Sequence, residues 1–135
     1  MNTSHQHLTC IVVTPEQAVL DEPADFVAVP MFDGELGILP GRAPIIGRLG
    51  TGELRLNKNG SVHRLFVDGG FVQVRANVVT LLTSRAVEAS EINPQVVEAE
   101  LHAAEAKHPT DLVEREIVDK TEQRARAMLR IVRKI

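Results

Sequence analysis

The 135-residue chain has no tryptophan, no tyrosine and only four phenylalanines. Bases and sugar rings are commonly held by stacking on aromatic faces, so it has little with which to hold them. It also lacks a cationic excess. The net charge is −3, and no global basic field recommends nucleic acid as a partner. The single cysteine, Cys10, excludes an internal disulfide. It lies in "LTCIVV", with no base or helix start nearby in sequence, and reads as a small buried apolar residue rather than a reactive thiol. The opening "MNTSHQHL" has no apolar stretch after basic residues, so no signal peptide is expected. Aliphatic runs such as "VVTLL" are far shorter than the roughly 20 residues that span a bilayer. A chain kept in the cytoplasm is expected, reaching a membrane only through a partner.

The signatures of chemistry are missing as well. No G-x-x-x-x-G-K-[ST] occurs, "GRAPIIGR" has the wrong spacing for one, and "VDGGF" fits a turn. The histidines are scattered: His5 and His7 in the polar N-terminal tail, His63 in a strand. Glu98 and His102 sit four apart on a helix, but without an obvious third ligand they read as an ordinary exposed pair. Asp21, Glu22 and Asp25 flank Pro23, which looks like a turn. No catalytic residue, metal site or cofactor is expected, and a non-enzymatic binding module is the reading of the residues alone.

What is present divides into two grammars. Apolar content of 44% and charged content of 24% are those of a globular domain, or of one domain with an appendage. From residue 8 to about 85 the chain reads as short strands: "LTCIVVT", "QAVLDE", "DFVAVPM", "GELRLN", "SVHRLFVD", "GFVQVRA" and "VVTLLTS". Leu54 and Leu56 alternate with Glu53 and Arg55, and Val72 and Val74 with Gln73 and Arg75. Asn59-Gly60 supplies a tight hairpin turn, because both residues tolerate positive φ. An all-β sandwich of about ten short antiparallel strands is expected over residues 1–87.

Residues 88–135 are expected to form an antiparallel α-helical hairpin. Asn93 caps the first helix and Pro94 suits its first position. Val97, Leu101 and Ala104 share one stripe. "KHPTD" breaks the helix, and Thr110 or Asp111 caps a second, with Glu114 at capping-box spacing. Val113, Ile117, Thr121, Ala125, Met128, Val132 and Ile135 recur at helical spacing along it. The first stripe is largely alanine, which buries few methyl groups, so weak docking is expected. Residues 86–123 hold ten carboxylates and three basic residues, whereas residues 124–135 hold Arg124, Arg126, Arg130, Arg133 and Lys134 without a carboxylate. Those cations read either as a solvated helix end or as an address for an acidic partner.

One stretch remains, "FDGELGILPGRAPIIG", dense in turn residues yet rich in aliphatics that a protein normally buries. Its core, "GELGILPGRAPIIG", resembles the G-E-L-G-I-x-P-G-H-A-P-L of the epsilon subunit family of bacterial F-type rotary ATP synthases, counterpart of the mitochondrial delta subunit. "FVDGGFVQVRANVVTLL" is similar to that family's glycine pair followed by strand, turn and strand. The resemblance runs from about Leu8 to the C-terminus and shares the sandwich-then-hairpin order.

The resemblance implies a non-catalytic central-stalk subunit of a proton- or sodium-translocating synthase, peripheral on the cytoplasmic face of the bacterial cell membrane. The sandwich would bind the gamma subunit and touch the ring of c subunits. Glu35, Leu36, Gly37, Ile38, Leu39, Pro40, Gly41 and Arg42 would form the ring or stalk contact, with some of the aliphatics of the stretch filling the core instead. Arg124, Arg126, Arg130, Arg133 and Lys134 would reach the alpha and beta subunits and restrain ATP hydrolysis. Two departures stand out. Arg42 replaces the family histidine, removing a titratable group. "INPQVV" lacks the acid, arginine and alanine of the I/L-D-x-x-R-A motif through which some members bind ATP, so no tight ATP binding is expected. The rival is a free-standing sandwich that binds a small ligand or peptide, with the hairpin as a dimerisation arm.

Overall fold

A computed structural model describes residues 7–135; His5 lies outside them. Eight strands precede two helices. They are β1 (Leu8–Val13), β2 (Ala18–Ala24), β3 (Phe26–Met31), β4 (Gly34–Ile38), β5 (Ile45–Lys58), β6 (Ser61–Arg75), β7 (Val78–Leu82) and β8 (Ala86–Glu88). A 3-10 turn at Ala89–Glu91 leads to α1 (Pro94–Glu105) and α2 (Leu112–Val132).

The strands are hydrogen-bonded in the order β2-β1-β7-β6-β5-β3-β4, with β8 on the other stretch of β6. Every pair is antiparallel except β1 with β7, a departure from the all-antiparallel expectation. The count falls below ten because predicted pieces fuse. "SVHRLFVD" and "GFVQVRA" are one strand, β6, paired with β5 from Ile45–Val74 to Lys58–Ser61. The glycine pair between them is a corner rather than a chain reversal. Gly69 has φ +69 and Gly70 φ +109, and a Cβ on Gly70 would stand 1.9 Å from the Leu82 carbonyl oxygen. Only glycine permits both that conformation and that approach.

The corner folds one continuous sheet into two layers. β2, β1, β7 and the Gly70–Arg75 end of β6 form the first, with the start of β5. β4, β3, the later part of β5, the early part of β6 and β8 form the second. Cys10, Val12, Val79 and Leu81 of the first pack in one core with Val27, Ile38, Leu54 and Leu65 of the second. The Cys10 thiol is buried, and burial first, then the charge of Glu22, pushes its pKa up to about 12. It is an inert core residue, as the sequence suggests.

Local chemistry explains the smaller features. Asn59 and Gly60 take positive φ in the β5–β6 turn. Pro23 stands inside β2 rather than in a turn; β2 is an edge strand, where the missing N–H is tolerated. Pro30 lies where the β3–β5 register is interrupted between Ala28 and Met31.

Both helix starts form as expected. The Asn93 side chain accepts from the Gln95 and Val96 amides, and Pro94 opens α1. Asp111 accepts from the Glu114 amide, while the Glu114 carboxylate accepts from the amide and hydroxyl of Thr110. The stripe on α2 is different from the expected one. Val118, Ala125, Ala127, Met128 and Ile131 are buried, whereas Val113 and Ile117 are 68% and 59% exposed. The C-terminal half of α2 carries most of its buried residues, Ala125, Ala127, Met128 and Ile131, which pack with Phe66 of the sandwich; Val118 is the one buried residue of the other half.

Candidate functional site

Three surfaces emerge. The first is the end of the sandwich built by β4 and the loop after it. β4 pairs with β3 from Val27–Ile38 to Met31–Gly34, so this part of the turn-rich stretch is an edge strand. Alternation sorts its residues. Ile38 is fully buried in the core and Leu36 packs partly against it. Ile38 is therefore a core residue, not a contact residue. Glu35, Gly37, Gly41 and Arg42 face outward, and Leu39 is 60% exposed. Gly37 passes over the Phe26 ring, where a Cβ would come within 3.0 Å. The loop is a tight turn closed by the Arg42 amide donating to the Leu39 carbonyl at 3.2 Å. Gly41, at φ +87, donates its N–H to Asn77 Oδ1 at 2.8 Å. Asn77 sits in the β6–β7 turn, so two turns brace one another.

The second surface is the outer face of the first layer. Phe71 stands opposite Arg48 on β5 and Leu82 on β7. Phe32 lies beneath the Arg48 guanidinium, 4.4 Å from ring centre to cation. Phe32, Ile46, Phe71 and Leu82 are all more than half exposed. Sequence reasoning missed this row. Its signal was present in "GFVQVR", where Phe71 falls on the phase opposite to Val72 and Val74.

The third surface, the outer face of the second layer, carries the hairpin. Phe66 projects from β6 and is fully buried among Ala89, Ile92, Val97, Ala125, Met128 and Ile131. Polar contacts flank it. Arg124 Nε donates to Asp68 Oδ2 at 2.6 Å, and Asp68 Oδ1 accepts from Thr51. Lys134 Nζ donates to Glu53 Oε1 at 3.1 Å. Glu53 also accepts from Arg64 at 2.8 Å, and its side chain is only 9% exposed. Burial alone would raise its pKa, but the hydrogen bonds from Arg64 and Lys134 pull it below the usual carboxylate value. Arg55 lies between Glu53 at 3.7 Å and Glu35 at 3.3 Å, so charges run from β4 to the end of α2.

The five C-terminal cations therefore do not form one free patch. Arg124 and Lys134 hold the hairpin down, and Arg126 pairs with Glu105 and Glu122. Arg130 and Arg133 are exposed and make no ion pair among the described residues. His102 pairs with Glu105 at 3.8 Å rather than with Glu98. Among the described residues no group of three or more His, Cys, Asp or Glu is placed to hold a metal. No helix among them is long and apolar enough to cross a membrane.

Comparison with known proteins agrees with this architecture. The family model described as ATP synthase, Delta/Epsilon chain, beta-sandwich domain, matches residues 7–89. The ATP synthase epsilon chain of Rhodopirellula baltica is 50% identical over 128 residues, 93% of this chain and 98% of that protein. Among solved structures, a chain of the Euglena gracilis mitochondrial ATP synthase, in its OSCP/F1/c-ring cryo-EM structure, aligns with a TM-score of 0.78 at 25% identity. It covers 91% of this chain and 81% of that one. A chain of the Tetrahymena thermophila mitochondrial ATP synthase central stalk and c-ring structure shares the fold, with a TM-score of 0.67 at 17% identity over 94% of this chain and 97% of that one.

Proposed function

The chain belongs to the delta/epsilon family of ATP synthase subunits, and on that premise we propose that it is a non-catalytic central-stalk subunit coupling gamma rotation to the c-ring. It would lie on the cytoplasmic side of the bacterial cell membrane, held there by its partners. The observation that carries this reading is the braced end of the sandwich. Glu35 points outward from β4, and Leu39, Gly41 and Arg42 from the turn tied through Asn77. Such a surface presents a carboxylate, a cation and one aliphatic side chain at fixed spacing, suited to the polar loops of a ring. The exposed row of Phe32, Ile46, Phe71 and Leu82 suits a second, more apolar partner, and we assign it to gamma.

The hairpin is the regulatory element in this reading. Release of Arg124 and Lys134 from Asp68 and Glu53 would add them to the exposed Arg130 and Arg133, giving a cationic helix end for acidic segments of the alpha and beta subunits. The direct experiment is to tag the chain in its native cells and identify what co-purifies after gentle membrane solubilisation. Recovery with alpha, beta, gamma and c subunits in fixed ratio supports the stalk assignment. Recovery alone or as a self-dimer favours a free-standing binding module. An enzyme reconstituted with a chain ending at Glu88 should hydrolyse ATP faster than one reconstituted with the full chain; unchanged hydrolysis would remove the regulatory role.

A further inference from the structure

We propose that His63, Glu22 and Glu88 form a proton-dependent clasp across the rim of the sandwich, which holds β8 and with it the root of the helical hairpin. The clasp is independent of the stalk assignment, because it concerns contacts within this chain.

The three residues converge from three strands. Glu22 lies on β2 opposite Cys10, Glu88 on β8 opposite Leu65, and His63 two positions before Leu65 on β6. Cys10 and Leu65 are fully buried. Residues facing one another across a ladder point to the same side, so all three polar groups aim between the layers, at the edge where the core ends. His63 Nδ1 lies 3.2 Å from Glu22 Oε1, and Nε2 contacts Glu88 Oε1. About one third of each of the His63 and Glu88 side chains is exposed, and rather more of Glu22.

This arrangement fixes the proton count. A neutral imidazole carries one N–H and one lone pair. Each ring nitrogen here faces a carboxylate oxygen. With one proton, one nitrogen would direct its lone pair at an anion; with two, both contacts become charge-assisted hydrogen bonds. Other nearby groups do not substitute for that proton. The β5 residue opposite His63 is Leu56, the Cys10 thiol beside Glu22 is neutral, and Arg64 turns to Glu53. Ser90 of the 3-10 turn and Ile135 line the same depression. Burial alone would favour neutral His63, but the hydrogen bonds to Glu88 and Glu22 outweigh it, and the pKa lies above the ordinary histidine value.

The sign of the effect follows. A group whose pKa is raised on folding contributes its stabilisation at low pH and loses it as pH rises through the folded value. β8 is held by three register partners on β6 and by Ala86 and Val87 packing into the two apolar clusters, and the clasp adds a polar tie at Glu88. Directly after β8 come Ala89 and Ile92, which pack under the hairpin beside Phe66. Acid therefore tightens the root of the hairpin and alkali loosens it.

The test titrates the full chain with isotopically labelled histidine by NMR. It also measures hydrogen exchange at the Val87, Glu88 and Ala89 amides, corrected for intrinsic exchange at each pH. The proposal expects His63 to titrate above 6.5 and protection at those amides to fall several-fold across that titration. His63→Gln, which keeps one donor and one acceptor without the charge, should give low protection with no such step. Glu22→Gln, at a partly exposed edge position, should keep the fold and move the His63 midpoint down. Protection that stays constant through the titration, an equal step in His63→Gln, or a midpoint unmoved in Glu22→Gln would each overturn the proposal.

Discussion

The strand region and the helical hairpin are held together by different means. In the sandwich, ladder hydrogen bonds run through every neighbouring pair, and a core with Leu8, Val12, Val27, Val29, Leu54, Leu65 and Leu81 at zero exposure closes both layers. The hairpin rests on one strand-borne aromatic, Phe66, with alanines and single aliphatics around it. α2 makes the contacts with β5 and β6, and α1 leans chiefly on α2. Its two clearest polar anchors, Arg124–Asp68 and Lys134–Glu53, are partly exposed on the cationic side. The sandwich closes on its own ladder and core, whereas the hairpin is applied to it through a smaller apolar cluster and a few ion pairs. Weak docking was expected from the alanine-rich stripe of α1, whose buried residues are Val97 and Ala104; α2 buries Val118, Met128 and Ile131 beside Ala125 and Ala127.

The largest effect is expected at the corner. Gly70→Ala should prevent folding of the whole chain, at a cost of more than ~3 kcal/mol, because the new Cβ has nowhere to go against the Leu82 carbonyl. Gly34→Ala is the control: its φ of +137 is strained, but no atom lies within 4 Å. It should leave a folded protein with a lowered melting temperature. Equal melting of the two variants would show that the corner is not what closes the layers.

Phe66→Ala should separate the two regions. The loss of about 3 kcal/mol expected for a buried phenylalanine should fall on the hairpin. Amide protection in α1 and α2 should collapse while that of β1 and β7 persists. Simultaneous loss in both regions would mean that they form one cooperative unit. Arg124→Ala should act in the same direction by about 1 kcal/mol, discounted for the exposure of the arginine. That difference should shrink in high salt, read in the same exchange experiment.

Acid gives the smallest effect. Glu53 has a lowered pKa, so its contribution is present above the ordinary carboxylate value near 4.5 and is lost as pH falls through the folded value. A probe on α2 should report loosening in that acid range, and Glu53→Gln should abolish the step. The His63 clasp acts with the opposite sign at higher pH, so docking should be firmest between the two.

What the sequence disclosed was what is encoded within a few residues. Asn93 with Pro94, Asp111 with Glu114, and Asn59 with Gly60 each carry their own geometry, and each takes the predicted role. Gly69-Gly70 did not disclose its role, because a corner and a hairpin turn ask the same φ of glycine. The strand nature of β4 was hidden by the turn residues around it. Ile38 and Leu39 are adjacent and equally apolar; only the strand phase sends one into the core and the other outward. Arg124 and Asp68 are 56 residues apart, and no local pattern announces such a pair. The cations accordingly looked like a free patch when two of them are latches.

The two layers are not separate sheets glued by side chains. β5 and β6 pass through both, and their pairing keeps one register on either side of the corner, from Leu49–Gly70 to Thr51–Asp68. Two sheets held only by interdigitated side chains can slide over one another under a sideways force. Here that sliding would require stretching covalent backbone or breaking the longest ladder in the molecule. A sideways force on either layer would therefore meet peptide bonds and ladder hydrogen bonds, so the sandwich is built as one body rather than a stack of plates.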